Sequence, residues 1–329
     1  MKIRFITIDK QDDPASRYRA YNIAKKLNYF GFNTEIIPVG SKNVFNLFRE
    51  FLIFLKNKGK IIYVQRVVHF LTDLLFFLYK KTGNKIIFDF DDAIFLLNKK
   101  STIYMIKNSE IIIVGNNHLA GYAKRYNKNV FVIPTSMDLD NIGNLRKDYS
   151  KNDKKIILGW IGSESTLKYL EEIREPLERL SKRYNLELRI IGPANSMEYL
   201  TKFKDIPIKV IPWKLETEWK ELSKIDIGIM PLPDDEWTKG KCALKLLQYM
   251  ALEIPAVGSN VGANKEAIIN GKTGFLPKNN NEWERYLERL IKDKKLRMKL
   301  GKAGRKTVEK DYSLDKNVKK LEKIIKNYI

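Results

Sequence analysis

Cysteine and histidine, from which most tight metal sites are built, are nearly absent from this sequence. Its 329 residues include one cysteine, Cys242, and two histidines, His69 and His118. A single cysteine excludes a disulfide within the chain and a metal site made of several thiolates. The composition therefore indicates a reducing compartment, and we expect a cytoplasmic protein.

Long apolar runs are missing as well. No segment reaches the ~20 apolar residues that a transmembrane helix requires. The short run KIRFITI near the start predicts a strand and not a signal peptide. Residues 43–60 and 69–81 are rich in phenylalanine and leucine and end in lysine. Each segment suits either an amphipathic helix at an anionic membrane surface or a helix packed on a sheet.

An excess of positive charge is spread along the whole chain. Lysine and arginine number 61 against 39 aspartates and glutamates, a net charge of +22, and each half of the chain carries +11 of it. Such an even distribution is typical of a solvated basic surface, whereas RNA binding usually interleaves basic and aromatic residues on one face. We therefore expect no nucleic-acid partner.

Apolar runs that predict strands alternate with helical patterns throughout the chain. This alternation predicts parallel sheets covered by helices on both faces, an α/β fold. The pattern starts afresh at IILGWIGS after a charged linker, residues 145–155, so we expect two doubly wound, Rossmann-like domains facing a cleft. Their predicted extents are residues 1–148 and 149–312, and a last helix, residues 313–329, is expected to cross back to the first domain.

Candidate site residues follow predicted strands, because ligands of open parallel sheets bind beyond the carboxyl ends of the strands. Ser16, Arg17 and Arg19 come after the first strand, near a helix start, where arginine suits phosphate or carboxylate; a surface ion pair is the plainer alternative. The strand end FDFDDA carries three aspartates, of which we expect Asp91 to face the cleft. A divalent metal is weakly supported there, and a helix cap is the alternative.

The second domain begins with an anion-binding candidate. In GWIGSESTLKYL a strand ends near Gly162, and Ser163 and Lys168 follow where a helix begins. A lysine in a first helical turn opposes the helix dipole unless a bound anion compensates. Lys168 is therefore either a phosphate ligand or an ordinary surface lysine. The glycine spacing matches neither a P-loop nor a dinucleotide fingerprint.

The stretch WTKGKCALKLLQYMALEIPAV predicts a buried helix with one polar stripe. If the helix begins at about Lys241, then Lys241, Lys245 and Gln248 lie in line at 100° per residue, while most other positions are apolar. Gly240 and Cys242 add backbone amides at the same end. This combination suits a diphosphate, with Gln248 bonded to a ribose or sugar hydroxyl; the alternative is a polar stripe that faces water.

Two consecutive motifs in the second half resemble a known family. They read DIGIMPLPDDEW and KGKCALKLLQYMALEIPAVGSNVGANKEAIINGKTGFL, and they closely resemble the nucleotide-sugar-binding half of glycosyltransferase family 4, retaining enzymes with the GT-B fold. The resemblance implies transfer of a sugar from a nucleoside-diphosphate sugar, with the donor on the second domain and a glycan or lipid-linked acceptor on the first. It also implies retention at the anomeric carbon and no metal or other cofactor.

The resemblance also implies site residues, some matching the family and some replacing its residues. Lys168 matches a family lysine that holds the diphosphate, and Ser163 stands where the family has an arginine, so Lys241 or Lys245 would supply the missing cation. A histidine found in many members aligns with Asp91.

Two family glutamates separated by seven residues fall on Gly240 and Gln248. Gln248 can still bind a ribose, whereas the sugar contact of the first glutamate would pass to Asp234, Asp235 or Glu236. These departures resemble a subgroup marked by a QYMA-type helix.

The predicted catalytic residues are Asp91, Lys168 and Lys245. The predicted donor-binding residues are Gly162, Ser163, Lys168, Glu236, Gly240, Lys241, Cys242, Lys245 and Gln248, and the predicted acceptor-binding residues are Ser16, Arg17, Arg19 and Asp92.

Two other functions compete with glycosyl transfer. A nucleotide-sugar epimerase of the same architecture would need acidic and histidine groups that act as acid and base, and this chain has only two histidines. A non-enzymatic module would bind RNA or an anionic membrane, and RNA binding would predict an aromatic and basic strand face that the sequence lacks.

Overall fold

The computed structural model describes residues 1–39, 60–68, 70–150, 155–193, 201–203 and 205–329. The predicted amphipathic segment 43–60 lies outside these residues except for Lys60, and so does His69. The described residues form two compact units. Unit 1 comprises Met1–Asp138, Lys239–Cys242 and Ser313–Ile329, and unit 2 comprises Leu139–Thr238 and Ala243–Tyr312.

The first border between the units follows residue 138, whereas the sequence predicts it after residue 148. Lys147 holds the intervening segment to unit 2, because its backbone N–H donates to the Leu252 carbonyl (2.8 Å) and its ammonium lies 2.5 Å from Asp226. Tyr149 adds a hydroxyl bond of 2.8 Å to the Glu253 carbonyl. The charged composition predicts a linker, but these charged and polar side chains are paired within one unit.

Each unit contains a parallel sheet, which confirms the predicted α/β fold. The described strands have the order β2-β1-β3-β4-β5-β6 in unit 1 and β11-β10-β7-β8-β9 in unit 2. Strand order reverses between β1 and β3 and between β7 and β10, so a ligand crevice is expected at the carboxyl ends of these pairs. The strands are β1 Lys2–Thr7, β2 Asn33–Pro38, β3 Ile61–Gln65, β4 Lys85–Phe90, β5 Ile111–Val114, β6 Val130–Val132, β7 Ile156–Ile161, β8 Leu186–Gly192, β9 Ile208–Pro212, β10 Ile227–Met230 and β11 Ala256–Gly258.

Helices connect the strands and cover the sheets. A π-helical segment, Arg17–Tyr21, joins the first two helices, and 3-10 segments span Ile94–Leu96 and Lys168–Ile173. The described α-helices are α1 Pro14–Ser16, α2 Asn22–Tyr29, α3 Phe70–Lys81, α4 Lys99–Asn108, α5 Asn117–Ala123, α6 Leu139–Ile142, α7 Glu164–Leu167, α8 Arg174–Ser181, α9 Glu218–Leu222, α10 Glu236–Lys239, α11 Leu244–Ala251, α12 Asn264–Ala267, α13 Asn280–Lys292, α14 Lys294–Asp311 and α15 Leu314–Tyr328.

Side-chain caps explain where several helices begin. Asn116 precedes α5, and its Oδ1 accepts the Leu119 N–H, which would otherwise lack an intrahelical partner. Ser313 caps α15 in the same way through Lys316. These caps fix the point at which the chain turns from a strand or loop into a helix.

Helix α15 belongs to the core of unit 1. Its apolar side chains, among them Val318 and Leu321, join the buried cluster that includes Phe5 of β1 and Leu27 of α2. Asn317 donates to the Ser136 hydroxyl (2.9 Å) on the buried side of the helix. The end of the chain therefore completes the core of the unit that its beginning builds.

The polar-stripe helix begins later than the sequence predicts. Helix α11 starts at Leu244, because Ala243 has the left-handed conformation (φ 55°, ψ 21°) and interrupts the helical path. Lys241 and Cys242 therefore lie outside the helix. The predicted alignment of Lys241 with Lys245 and Gln248 on one stripe is wrong.

Candidate functional site

In unit 2, glycines in the neighbouring strands β7 and β10 bring elements close together. Gly159 and Gly228 are register partners in the two strands. A Cβ on Gly228 would lie 2.2 Å from the Tyr249 ring, and one on Gly159 would lie 2.1 Å from Ile225. Helix α11 can therefore lie close against the sheet at the point where the strand order reverses.

Gly162 follows β7 at this edge and has no room for a side chain. A Cβ there would lie 2.7 Å from the Trp160 ring and 2.8 Å from the Thr166 hydroxyl. Ser163 comes next and is exposed, with its hydroxyl 3.1 Å from that of Ser165. The segment thus offers small, accessible hydroxyl groups at the start of α7.

Lys245 lies over the same indole ring. Its ammonium is 5.1 Å from the centroid of the Trp160 ring, which is almost fully buried. A cation over an indole is held electrostatically by the ring. The structure therefore brings Gly162 and Lys245, two predicted donor-binding residues, together around Trp160.

Lys168 is exposed near this edge, but it does not occupy a first helical turn. It opens the 3-10 segment that follows α7, and its ammonium lies 5.6 Å from the centroid of the Tyr169 ring. The dipole argument for an anion at Lys168 therefore loses its basis, and its predicted role rests on the family resemblance.

Gln248 is buried and takes part in a polar chain within unit 2. Its Nε2 donates to Glu218 Oε1 (3.0 Å), and the indole N–H of Trp213 donates to Glu218 Oε2 (2.6 Å). Hydrogen bonds of this kind orient the amide of Gln248. Glu236, the proposed substitute for a family glutamate, is an exposed residue at the start of α10.

The segment Lys239–Cys242 belongs to unit 1, where Asn116 holds it. The Asn116 Nδ2 lies 3.2, 3.0 and 3.0 Å from the carbonyls of Lys239, Gly240 and Lys241. Gly240 presses against Ala93, since a Cβ on it would lie 2.6 Å from the Ala93 amide nitrogen. Gly240 and Lys241 are therefore positioned by unit 1, not by the helix that follows them.

Cys242 also has a structural position in unit 1. Its thiol donates to the Asp91 carbonyl at 3.1 Å. Burial, with the nearby negative charge of Asp91, raises the pKa of Cys242 well above its ordinary value. The thiol is therefore neutral at physiological pH.

Asp92 lies between two cations at the carboxyl edge of the unit 1 sheet. Arg66 Nη1 is 2.9 Å from Asp92 Oδ2, and Lys241 Nζ is 3.6 Å from Asp92 Oδ1. Burial raises the pKa of Asp92, and the two cations oppose this effect. Arg66 has a positive φ of 60°, an uncommon conformation for a non-glycine residue that often marks functional positions.

Asp91 is next to this cluster. Its buried Oδ1 makes no hydrogen bond with the part of the chain that the structure describes. A buried carboxylate oxygen normally has a donor partner. Asp91 Oδ1 is therefore a buried acceptor without a donor in the described chain.

Arg19 is committed to a partner inside unit 1. Its Nε and Nη2 lie 3.0 and 2.7 Å from the two oxygens of Asp89, and its Nη1 donates to the Ile133 carbonyl (2.5 Å). Tyr63 donates its hydroxyl to the same carboxylate. Burial by itself would lower the pKa of Arg19, but attraction to Asp89 raises it above its usual value.

The other predicted acceptor-binding residues after β1 are buried too. The Ser16 hydroxyl accepts the Asp9 N–H (3.2 Å) and closes the loop between β1 and α1. The Arg17 guanidinium lies 5.0 Å from the centroid of the Tyr18 ring. The geometry of Ser16, Arg17 and Arg19 thus favours structural roles, and among the four predicted acceptor residues only Asp92 lies in the charged cluster at the sheet edge.

Several residues at these edges are not predicted from the sequence. Arg66 directly follows β3 and Asn116 comes two residues after β5, so the strand-end rule that selects Asp91 would also have selected them. Trp160 and Glu218 give no such signal, because their roles depend on side chains that are distant in sequence. These four residues extend the candidate sites of the two units.

Within the described residues, no group of three or more histidine, cysteine, aspartate or glutamate side chains is arranged to hold a metal ion. Among those residues, no helix is long and apolar enough to cross a membrane.

The family of the chain follows from comparison with known proteins. Residues 141–307, half of the chain, match the family model of glycosyl transferases group 1, so the chain belongs to this family. The Staphylococcus aureus capsular polysaccharide biosynthesis glycosyltransferase CapM is 27% identical over 188 residues, 53% of this chain and 47% of the relative. The chain spans about half the length of the curated relatives that it matches.

Solved structures with the same fold cover nearly the whole chain. Sucrose-phosphate synthase from Thermosynechococcus elongatus has a TM-score of 0.78 at 12% identity and covers 99% of this chain and 98% of its own. Anabaena HepE, solved with UDP and glucose, has a TM-score of 0.76 at 11% identity, covering 99% of this chain and 100% of its own. These similarities confirm the predicted GT-B fold.

Proposed function

We propose that this protein transfers a sugar from a nucleoside-diphosphate sugar to a glycan or lipid-linked acceptor, with retention of the anomeric configuration. The observation that carries the proposal is that the family match, residues 141–307, includes the sheet edge where Gly162 and Lys245 meet at Trp160. Membership of the family supports transfer chemistry, and this edge supports an anionic donor.

The diphosphate of the donor would bind at the edge between β7 and β10. Lys245 and Lys168 supply positive charge, and Ser163 and the backbone amides beside Gly162 supply hydrogen bonds. The chemistry needs these groups because negative charge develops on the leaving diphosphate as the bond to the sugar breaks. Lysines and amides would stabilise that charge in place of a metal ion.

The ribose or sugar of the donor would bond to Gln248, whose amide is oriented by Glu218. Gly240, Lys241 and Cys242 remain second-rank candidates for the donor, since each has a contact within unit 1 that accounts for its position. A donor-binding role for Glu236 is supported only by the family resemblance. The idea that the QYMA-type helix marks a subgroup also stays a prediction.

The acceptor would bind at the carboxyl edge of the unit 1 sheet. Asp91 and Asp92 offer carboxylate oxygens suited to sugar hydroxyls, and Asp91 Oδ1 has no hydrogen bond within the described chain. We give Asp91 the role of orienting a reacting hydroxyl, since positioning is a main catalytic term for transfer between two bound substrates. No protein nucleophile is assigned.

Two similar proteins support a cell-envelope acceptor and a uridine nucleotide in the donor. CapM is described as a capsular polysaccharide biosynthesis enzyme, and HepE was solved with UDP and glucose. By analogy, a UDP-sugar is the first donor to test. A cytoplasmic location with peripheral contact at the inner membrane face is part of the same proposal.

A panel of UDP- and GDP-sugars tests this proposal through nucleotide release and through mass spectrometry of the products. We expect nucleotide release with one donor that increases when a glycan acceptor is added. Conversion of the donor to an epimer without an acceptor would favour an epimerase. No binding or turnover with any donor, together with tight salt-sensitive RNA binding, would contradict both enzyme functions.

A further inference from the structure

Half of the strongly exposed large apolar side chains in the described chain lie between residues 74 and 97, in unit 1. Leu74 and Phe77 of α3 are 57% and 46% exposed, and Leu96 and Leu97 are 51% and 70% exposed. Clustered exposure of this kind often marks an interaction surface, whereas isolated exposed apolar residues are ordinary.

Leu96 and Leu97 precede α4, and after Asn98 two lysines occupy the first turn of that helix. Lys99 and Lys100 are exposed, and no acidic residue accompanies them in that turn. Cations in a first helical turn oppose the helix dipole. Two unfavourable features therefore occur together in the sequence Leu96-Leu97-Asn98-Lys99-Lys100. The leucines are exposed, and the lysines lie at the N-terminal end of a helix.

Helix α3 is joined to the first turn of α4 by a side-chain hydrogen bond. Asp73 Oδ2 accepts the hydroxyl of Ser101, in the first turn of α4, at 2.5 Å. Leu74 follows Asp73 directly, and Phe77 lies one helical turn further along. At its other end α3 carries Lys81, whose ammonium is 4.6 Å from the centroid of the Phe77 ring.

The charges on this surface are largely of one sign. Lys81, Lys99 and Lys100 are exposed on α3 and α4, and the one acidic residue of these two helices, Asp73, is bonded to Ser101. We name the surface formed by Leu74, Phe77, Leu96, Leu97, Lys99 and Lys100 the apolar-basic patch.

We propose that the apolar-basic patch docks unit 1 on an anionic phospholipid bilayer. Its leucine and phenylalanine side chains insert at the level of the headgroups, and its lysines meet lipid phosphates. A phosphate near Lys99 and Lys100 also removes the conflict with the dipole of α4, because the helix start then faces an anion. The charge complementarity selects an anionic lipid surface over a second copy of this basic chain.

The inference rests on the peripheral membrane contact included in the proposed function, but it does not depend on sugar transfer, so a vesicle-binding experiment tests it separately from turnover. The purified full chain is sedimented with vesicles of phosphatidylglycerol and phosphatidylcholine in equal parts, and with vesicles of phosphatidylcholine alone. We expect binding to the first and little binding to the second. The variant Lys99→Gln/Lys100→Gln should bind about 30-fold more weakly, since each basic residue near an anionic surface contributes about fivefold to binding.

The apolar part of the patch is tested by Leu96→Ser/Leu97→Ser, which should weaken binding at least as strongly as the lysine variant. Ile269→Ser is the matched apolar control, because Ile269 is 57% exposed and lies in unit 2. Lys299→Gln/Lys302→Gln on α14 is the matched charge control, since both lysines are exposed. Neither control should change binding more than about threefold, as charges away from the contact are screened.

Three outcomes would overturn the proposal. The first is no sedimentation of the parent protein with phosphatidylglycerol vesicles. The second is equal loss in the α14 control, which would make the binding a general effect of net charge. The third is self-association that depends on Leu96 and Leu97, measured by analytical ultracentrifugation, which would make the occupant a second copy. Circular dichroism melting of every variant separates loss of binding from loss of folding.

Discussion

The carboxyl edges of the two sheets differ in the surroundings of their charged side chains. In unit 1 the charged side chains form pairs within the chain, as Arg19 does with Asp89. In unit 2 the edge combines a glycine without room for a side chain, exposed hydroxyls and Lys245 on an indole face. We propose that the diphosphate binds at the unit 2 edge, where a bare backbone and hydroxyl groups accompany a lysine, and that neutral hydroxyl groups bind at the unit 1 edge.

The largest effect should come from removing one member of the buried pair in unit 1. Asp89→Ala leaves the Arg19 guanidinium buried without its carboxylate, and we expect the free energy of unfolding to fall by about 3–5 kcal/mol. Urea unfolding followed by circular dichroism measures this loss. Arg19→Met/Asp89→Leu is the control and should lose less, because it leaves no charge unpaired. Equal losses in the two variants would show that charge is not what the pair contributes.

Asn116 should have the next largest effect, since it caps α5 and binds three carbonyls of the segment 239–241. We expect Asn116→Ala to destabilise the protein by about 2–3 kcal/mol, from a lost cap and lost buried hydrogen bonds. Asn116→Asp keeps an oxygen for the cap but turns a carboxylate towards the carbonyls. If thermal melting finds Asn116→Asp as stable as the parent protein, the carbonyl contacts have no role in stability.

Lys245 tests the assignment of the diphosphate to unit 2. Lys245→Ala should weaken the binding of the preferred nucleoside diphosphate by about 10- to 100-fold, the usual range for a lost charge-assisted hydrogen bond. Isothermal titration calorimetry measures the change. Lys241→Ala is the matched control, and it should weaken binding by less than about threefold because its ammonium faces Asp92. Equal losses at both lysines would remove the distinction between the two edges.

Gly162 tests the need for a bare backbone beside Trp160. Gly162→Ala forces a Cβ against the indole and the Thr166 hydroxyl, and we expect overpacking to destabilise unit 2 by about 1–3 kcal/mol. The same change should weaken nucleotide binding, since the adjacent Ser163 must shift. Differential scanning calorimetry and nucleotide titration measure the two effects. Unchanged stability and affinity would contradict the close approach seen at Gly162.

The smallest expected effect is at Gly121, which serves as the control for Gly162. It lies within α5 of unit 1, and a Cβ there would meet nothing within 4 Å. Gly121→Ala should therefore raise the free energy of unfolding by about 0.5–1 kcal/mol through reduced backbone entropy in the unfolded chain. A loss of stability at this position would mean that the glycine has a role beyond helix formation.

The fold was predictable from the sequence because parallel strands between helices read as apolar runs separated by helical patterns. The edges were predictable only in part. Asp91 and Ser163 follow strands and were found by that rule. Lys241 was misassigned, because helical periodicity cannot show that Ala243 adopts a left-handed conformation. Partners such as Asp89 for Arg19 require strand register, which a single sequence does not give.

The chain passes from one unit to the other four times, and this affects how it can fold during synthesis. Unit 1 takes its residues from three separate stretches, and the last of them contains α15. Because a nascent chain emerges from the ribosome in sequence order, the apolar surface on α2 and β1 remains uncovered while all of unit 2 is translated. The two units therefore cannot mature one after the other: unit 1 begins first but is completed last, when Val318 and Leu321 reach its core.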